Sequence, residues 1–287
     1  MVDAILVTGA SGNVGAAVLR ALTAAGSHPR TAVLPGRTSA PPDGAVPFDF
    51  TQPDTWSAAF AGMESMFLVR PPALGNVRRD LIPAVAAARD AGVRHVVFLS
   101  LQGAERNRFA PHAGVEQWLR SSGMRWTFVR PSFFHQNLST THAADIRDRD
   151  AIIVPAGRGA TAFVDAEDVG AVAAAALLEP DRHADRAWTI TGREALTYDQ
   201  VADILTAELG RPIRYLRPSL PTYARHARRH LEMPWGMVAV TAAIYTTARL
   251  GLAAGLTDDV PEILGRDPTG FAEFAHRERA AWKPTQP

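Results

Sequence analysis

Short apolar runs alternate with longer stretches of helical period through the first 131 residues. Residues 4–7 form one such run, and Val14, Val18, Leu19 and Leu22 then recur at helical spacing up to Gly26. Further strands are predicted at 31–34, 45–48, 66–69, 96–100 and 126–129. VVFLS at 96–100 is nearly all apolar, as a strand buried on both faces should be. Helices are predicted at 53–62, 76–91 and 111–122, each stopped by a glycine, and PGRTSAPPDGA reads as a loop. Beyond residue 131 the alternation loosens. It predicts a helix near 133–149, a strand at 152–154, a loop PAGRGATAF and a helix at 166–179. A strand at 188–191, a helix at 197–209 and a strand at 213–216 follow, with mostly helix from Pro218 onward.

Strands alternating with helices at this spacing predict βαβ units with right-handed crossovers. The fold class is therefore α/β: a Rossmann-type doubly wound parallel sheet with a smaller, mostly helical C-terminal lobe. The division expected is 1–155 for the nucleotide-binding domain, with a late strand near 187–191 returning to its sheet, and 156–287 for a substrate-binding lobe. The opening unit carries chemistry. Gly9, Gly12 and Gly15 stand at G-x-x-G-x-x-G spacing between the first strand and the first helix. One glycine makes the tight turn, a second lets the backbone approach a pyrophosphate, and a third packs helix against strand. Free N–H groups at the helix N-terminus favour the anion. Thr8, Ser11, Asn13 and Val14 belong to the same loop and are read as cofactor-binding with the glycines. The bland alternative is a structural turn with no ligand.

Composition narrows the chemistry. The chain has 287 residues and a formal net charge of +1, which gives no electrostatic footprint for nucleic acid or an anionic membrane. It has no cysteine, so disulfides, thiolate metal sites and cysteine nucleophiles are excluded. MVDAILV lacks the basic and apolar regions of a signal peptide, and the chain is expected to be cytoplasmic. The apolar stretch 237–256 contains Thr241, Tyr245, Thr246, Thr247 and Arg249, and reads as a buried or interface helix rather than a membrane span. Lys283 is the only lysine, and no tyrosine precedes Tyr198.

LVTGASGNVGAAVLRAL, FLVRPP, VVFLS, HAGVEQWLRSSG running into MRWTFVRPSFFHQN, FVDAEDVGAVAAAAL and the C-terminal EILGRDPTGFAEFAHRERAAW together resemble the NmrA-like, atypical branch of the short-chain dehydrogenase/reductase superfamily. The similarity spans nearly the whole chain. It implies a reductase of quinones, triphenylmethane dyes, iminium ions or activated alkenes, or else a redox sensor that binds NADP without turnover. A cofactor-retaining isomerase or cyclase is a third reading. The Tyr-x-x-x-Lys pair of the best-known short-chain dehydrogenases cannot occur here, because the tyrosines and the lysine come too late. By its spacing to Gly123, His112 stands where isoflavone-reductase relatives place a lysine. It is the proton-donor candidate, beside Ser100, whose position matches the serine of the better-known relatives.

Arg37 follows the second strand where NAD-specific folds carry an acid, and no acid occurs between Asp3 and Asp43. A guanidinium there can grip a 2′-phosphate, so NADP(H) is preferred over NAD(H); Arg30 is the weaker alternative. By the resemblance, Asp49 and Phe50 touch the adenine; an equal alternative is helix capping by Asp49. Val69, Arg70 and Pro71 end the fourth strand beside the expected ribose and nicotinamide. Ser100 and Leu101 end the fifth strand. Gln102, Phe133, Phe134, Asn137 and Trp235 are the expected substrate pocket, aromatic enough for a flat molecule stacked on nicotinamide. His112 and Glu116 share a helix face, with no third ligand spaced for a metal, and Glu116 is read as structural. Asp165, Glu167 and Asp168 open a helix and read as dipole-complementing acids rather than paired catalytic carboxylates. The partner expected is a small-molecule substrate, with no nucleic acid and no membrane, and the protein is expected as a monomer or homodimer.

Overall fold

The structure, a computed structural model, describes residues 4–36, 44–107 and 110–284. Its strands are β1 (Ile5–Val7), β2 (Arg30–Val33), β3 (Ala45–Pro47), β4 (Ser65–Val69), β5 (His95–Leu99), β6 (Arg125–Pro131), β7 (Phe133–Phe134), β8 (Ala151–Ile152), β9 (Ala160–Val164), β10 (Arg186–Ile190), β11 (Ala195–Thr197) and β12 (Arg214–Tyr215). The chain divides into two compact units.

The first unit comprises residues 1–131, 166–190 and 259–266. It holds a seven-stranded sheet in the order β10-β6-β5-β4-β1-β2-β3, every pair parallel. The strands bury both faces, and alternation decides which residue goes where. Leu6, Met66, Leu68, Val96, Phe98 and Phe128 join the core that also takes Phe60, Leu81, Val85, Val115 and Leu119 from the helices on that side. The chain winds outward from β1 through β2 to β3, then returns to lay β4 on the other flank of β1. That reversal falls at the carboxyl ends of β1 and β4, the place where open α/β sheets take their ligands.

The second unit comprises residues 132–165, 191–258 and 267–287. It contains two small sheets, β11-β9-β7 and β12-β8, and its own core around Phe163, Tyr198, Tyr223, Tyr245, Phe271, Phe274 and Trp282. All four tyrosines of the chain lie in or against this core. Among the described residues, no helix is long and apolar enough to cross a membrane.

The structure departs from the sequence reading in several places. The first unit closes at Pro131, not at 155, because β6 ends there. It regains the helix Ala166–Leu178 and β10, which pairs with β6 from Arg186↔Thr127 to Ile190↔Pro131. The helix expected near 133–149 is instead β7 followed by two short helices, Gln136–Ser139 and Ala143–Arg149. The aromatic pair is drawn into a ladder with Phe163 and Val164, a partner thirty residues away in sequence. The helix expected at 76–91 breaks at Leu81 into Val77–Asp80 and Ile82–Asp90, with Pro83 in the first turn of the second. The tail of the loop PAGRGATAF is β9, which holds β7 on one side and β11 on the other.

Candidate active site

Gly9, Gly12 and Gly15 do different things. Gly9 has φ +66°, and a Cβ on it would lie 2.9 Å from Cβ of Val69, so it brings the end of β1 against the end of β4. A Cβ on Gly15 would lie 2.2 Å from the Gly9 carbonyl oxygen, so Gly15 is what lets the helix Asn13–Ala24 press onto the loop. Gly12 is different: its Cβ would meet nothing nearer than 3.4 Å. It is the exposed N-cap of that helix, no side chain caps it, and no acid occupies the first turn. Ser11 and Asn13 beside it are also exposed. An uncapped helix start whose glycine is exposed fits a pyrophosphate. Thr8 is buried below and staples the two strand ends together. Its Oγ1 donates to the Phe67 carbonyl at 2.9 Å and accepts from the Val69 N–H at 2.9 Å.

The rim after β4 is rigid. Nη1 of Arg70 donates to the carbonyls of Pro71, Pro72 and Leu74 at 3.0, 3.3 and 3.1 Å, so this guanidinium organises its own loop. Burial pushes the Arg70 pKa down, and its Nε has no partner among the described residues. His112 lies at the start of the helix Pro111–Ser121, stacked on Phe98 with ring centroids 5.9 Å apart. Burial first, and then the charge of Arg70, lower its pKa to about 4. His112 is therefore neutral at pH 7, and its buried Nδ1 has no partner among the described residues.

Glu116, read as structural from the sequence, is a hub whose partners the sequence did not show. It is 1% exposed and accepts Ser100 Oγ at 2.7 Å on Oε1. Arg130 grips it in bidentate fashion, Nε to Oε1 at 2.9 Å and Nη2 to Oε2 at 2.6 Å. Arg120 adds a fourth donor at 3.2 Å, and Nη1 of Arg130 reaches Glu105 at 3.1 Å. Burial would raise the Glu116 carboxyl, but the hydrogen bonds from Arg130 and Ser100 and the charges of Arg130 and Arg120 outweigh it and hold the pKa low. The pairing of Glu116 with His112 that shared-face spacing offered does not form. The one available signal was Arg130 itself: an arginine inside a strand as apolar as β6 needs a carboxylate. The structure thus engages the Ser100 hydroxyl with a carboxylate. Leu101 and Gln102 follow it half-buried, the latter held by its N–H to the Pro131 carbonyl at 3.0 Å.

Other residues fall elsewhere. The Asp49 carboxylate accepts Thr51 N and Oγ1 at 2.8 and 2.7 Å and Gln52 Nε2 at 3.2 Å, so it shapes the turn after β3. Phe50 is buried edge-on against Phe48, 4.8 Å between centroids. Arg37 lies outside the described residues; the described end of β2, Val33 through Gly36, carries no carboxylate. Arg30 is turned away, its Nη1 donating to the carbonyls of Ala58, Ala59 and Ala61. In the second unit, Phe133 packs on Phe163 and Tyr245, while Phe134 and Asn137 are half-buried. Trp235 is 66% exposed, with Arg228 over its ring at 5.5 Å. The three acids that open the helix Ala166–Leu178 are tied down: Asp165 by Gln136 and Arg277, Asp168 by Arg266, and the half-buried Glu167 by Arg20.

Comparison with known proteins is extensive. The profile of the NmrA-like family matches residues 1–246. The chain is 36% identical to an NAD(P)H azoreductase of Xenophilus azovorans, over 97% of this chain and 99% of the relative. The fold superposes on the Citrobacter sp. triphenylmethane reductase complexed with NADP(H) with TM-score 0.81 and 26% identity, covering 96% of this chain and 99% of that one. It also superposes on an NADPH-dependent quinone oxidoreductase of Escherichia coli with TM-score 0.82 and 24% identity, covering 95% and 99%.

Proposed function

From the premise that the chain belongs to the NmrA-like family, we propose that it is an NAD(P)H-dependent reductase acting on flat, apolar, electron-poor molecules such as quinones, iminium ions or activated alkenes. The observation that carries this reading is the glycine loop: an uncapped helix start at an exposed Gly12, at the reversal point of a parallel sheet. Bound there, a reduced nicotinamide supplies the hydride.

The protein's own part is binding, orientation and exclusion of water. Gly9, Gly12 and the free N–H groups of the following turn would hold the pyrophosphate. Thr8 fixes the spacing of the two strand ends around it. The loop locked by Arg70 and the stacked, neutral His112 present a firm wall to the nicotinamide half. No imidazolium is available at neutral pH, since His112 titrates near pH 4. Ser100 has its proton directed at Glu116 and serves the site as an acceptor or through the backbone. Acceptors that need little acid assistance match this supply. Preference for NADP(H) rests on the acid-free end of β2 and on Arg37 following it.

The test is consumption of NADPH by the purified protein with a panel of quinones, iminium ions and enones. Turnover with any of them, lost in Gly12→Val, supports the reading. Firm NADPH binding without turnover on the whole panel would favour the sensor reading instead.

A further inference from the structure

Of the ten large hydrophobic side chains that stand exposed among the described residues, seven lie between Trp235 and Leu256. The helix Trp235–Arg249 carries no acid and no lysine, and its one charged residue, Arg249, is its last. Val238, Tyr245 and Ala248 bury one face in the second unit's core; of the exposed side chains, Trp235 stands on one flank of the outward side and Met237, Val240 and Ile244 on the other. Leu250 and Leu252 continue that surface at 67% and 73% exposure. From 235 to 257 the only charged residue is Arg249. An exposed apolar run of this kind marks an interaction surface.

We propose that this face binds the same face of a second copy of the chain across a two-fold axis. Three observations support that occupant. The first is extent: seven large apolar side chains stand 40–73% exposed within this one stretch, whereas exposed apolar residues on a monomer are normally scattered singly. A standard interface takes roughly 800 Å² per partner. The second is composition. Trp235, Met237 and the Arg228 guanidinium stacked on Trp235 are the residue types enriched in interface cores, and Lys, Asp and Glu are absent from the helix. The third is shape. Ala239, Ala243 and Thr247, all exposed, follow one another at one-turn spacing and make a flat strip along the helix. Two copies can approach closely along such a strip in antiparallel register. The bulky N-terminal end of one, Trp235 and Met237, then meets Ile244, Leu250 and Leu252 of the other, the self-complementarity an isologous contact needs.

A lipid surface fits less well. An interfacial helix carries a charged face opposite its apolar one, whereas the opposite face here is the core of the unit.

The experiment is sedimentation equilibrium of the full chain and of two variants, Val240→Glu and Leu252→Glu, over a range of concentrations. Far-ultraviolet circular dichroism and thermal unfolding check that each variant folds; both positions are exposed, so both should. The expected result is a dimer for the native sequence and monomers for both variants, a halving of mass. A monomer at every concentration, or a dimer that both variants leave intact, overturns the proposal. Sedimentation of a monomer with phosphatidylglycerol vesicles, but not with phosphatidylcholine vesicles, overturns it in favour of a lipid surface.

Discussion

Ser100 Oγ stands 2.7 Å from Glu116 Oε1, a hydrogen bond that ties the residue after β5 to the middle of the helix Pro111–Ser121. The same carboxylate is clamped by Arg130 at the end of β6. Replacing Glu116 by Gln removes the charge that Arg130 is buried against, and should destabilise the protein by about 3–5 kcal/mol. Ser100→Ala leaves the ion pair whole and should cost about 1 kcal/mol. Chemical denaturation checks both, and the large gap between the two variants is the expected signature. A catalytic role for the Ser100 hydroxyl would instead appear as a turnover loss in Ser100→Ala far exceeding its stability loss.

The glycine loop separates an exposed glycine, proposed to bind the cofactor, from a packing glycine. A methyl group on Gly12 meets nothing closer than 3.4 Å within the protein, whereas one on Gly15 would lie 2.2 Å from a backbone oxygen. Gly12→Ala should therefore keep its thermal stability and lose NADPH affinity by about tenfold or more, an energy of roughly 1.4 kcal/mol or above. Gly15→Ala should lose stability by about 1–3 kcal/mol, as an overpacked core does, and lose affinity with it. Calorimetric titration and melting curves on the pair test the distinction.

How much of this was legible in the chain depends on how local the determinants are. The first seven parallel strands' worth of alternation, from residue 4 to 131 with the late return near 188, is written in nearest-neighbour periodicity, and the sheet follows it. The glycine spacing is local too. Glu116 is not: apart from Arg120 one turn on, its partners Arg130 and Ser100 stand 14 and 16 residues away and meet it only once β5 and β6 pair. The two-residue β7 is likewise invisible until β9 arrives to pair with it. Phe50 and Asp49 show the limit of reading residue types. By residue type the pair suits an adenine or a cap equally; the turn that the carboxylate makes and the burial of the ring are set only in the folded chain.

Acid should unfold the protein for a nameable reason. Burial is the leading cause that lowers His95, His112, His135 and His142 to about 4 each. In the unfolded chain they titrate near 6.5. Between roughly pH 6.5 and 4 the unfolded state therefore binds more protons, so stability rises with pH across that window and is lost as pH falls through it. Melting temperature measured from pH 7.5 to 4 should drop below pH 6.5. Tyr245→Phe, which removes the hydroxyl 2.6 Å from Nε2 of His142, should lower the whole curve while leaving its slope in place. A melting temperature flat from pH 6.5 to 4.5 would contradict the assignment.

The central claim is that the glycine loop holds a cofactor that is used. The most direct measurement follows NADPH oxidation and acceptor loss together, in one cuvette, with the purified chain and a quinone, an azo dye, an iminium ion and an enone in turn. The expected result is protein-dependent oxidation with at least one acceptor, one NADPH consumed per two electrons received, abolished by Gly12→Val in a protein that still melts normally. Saturable NADPH binding with no oxidation on any acceptor would contradict it.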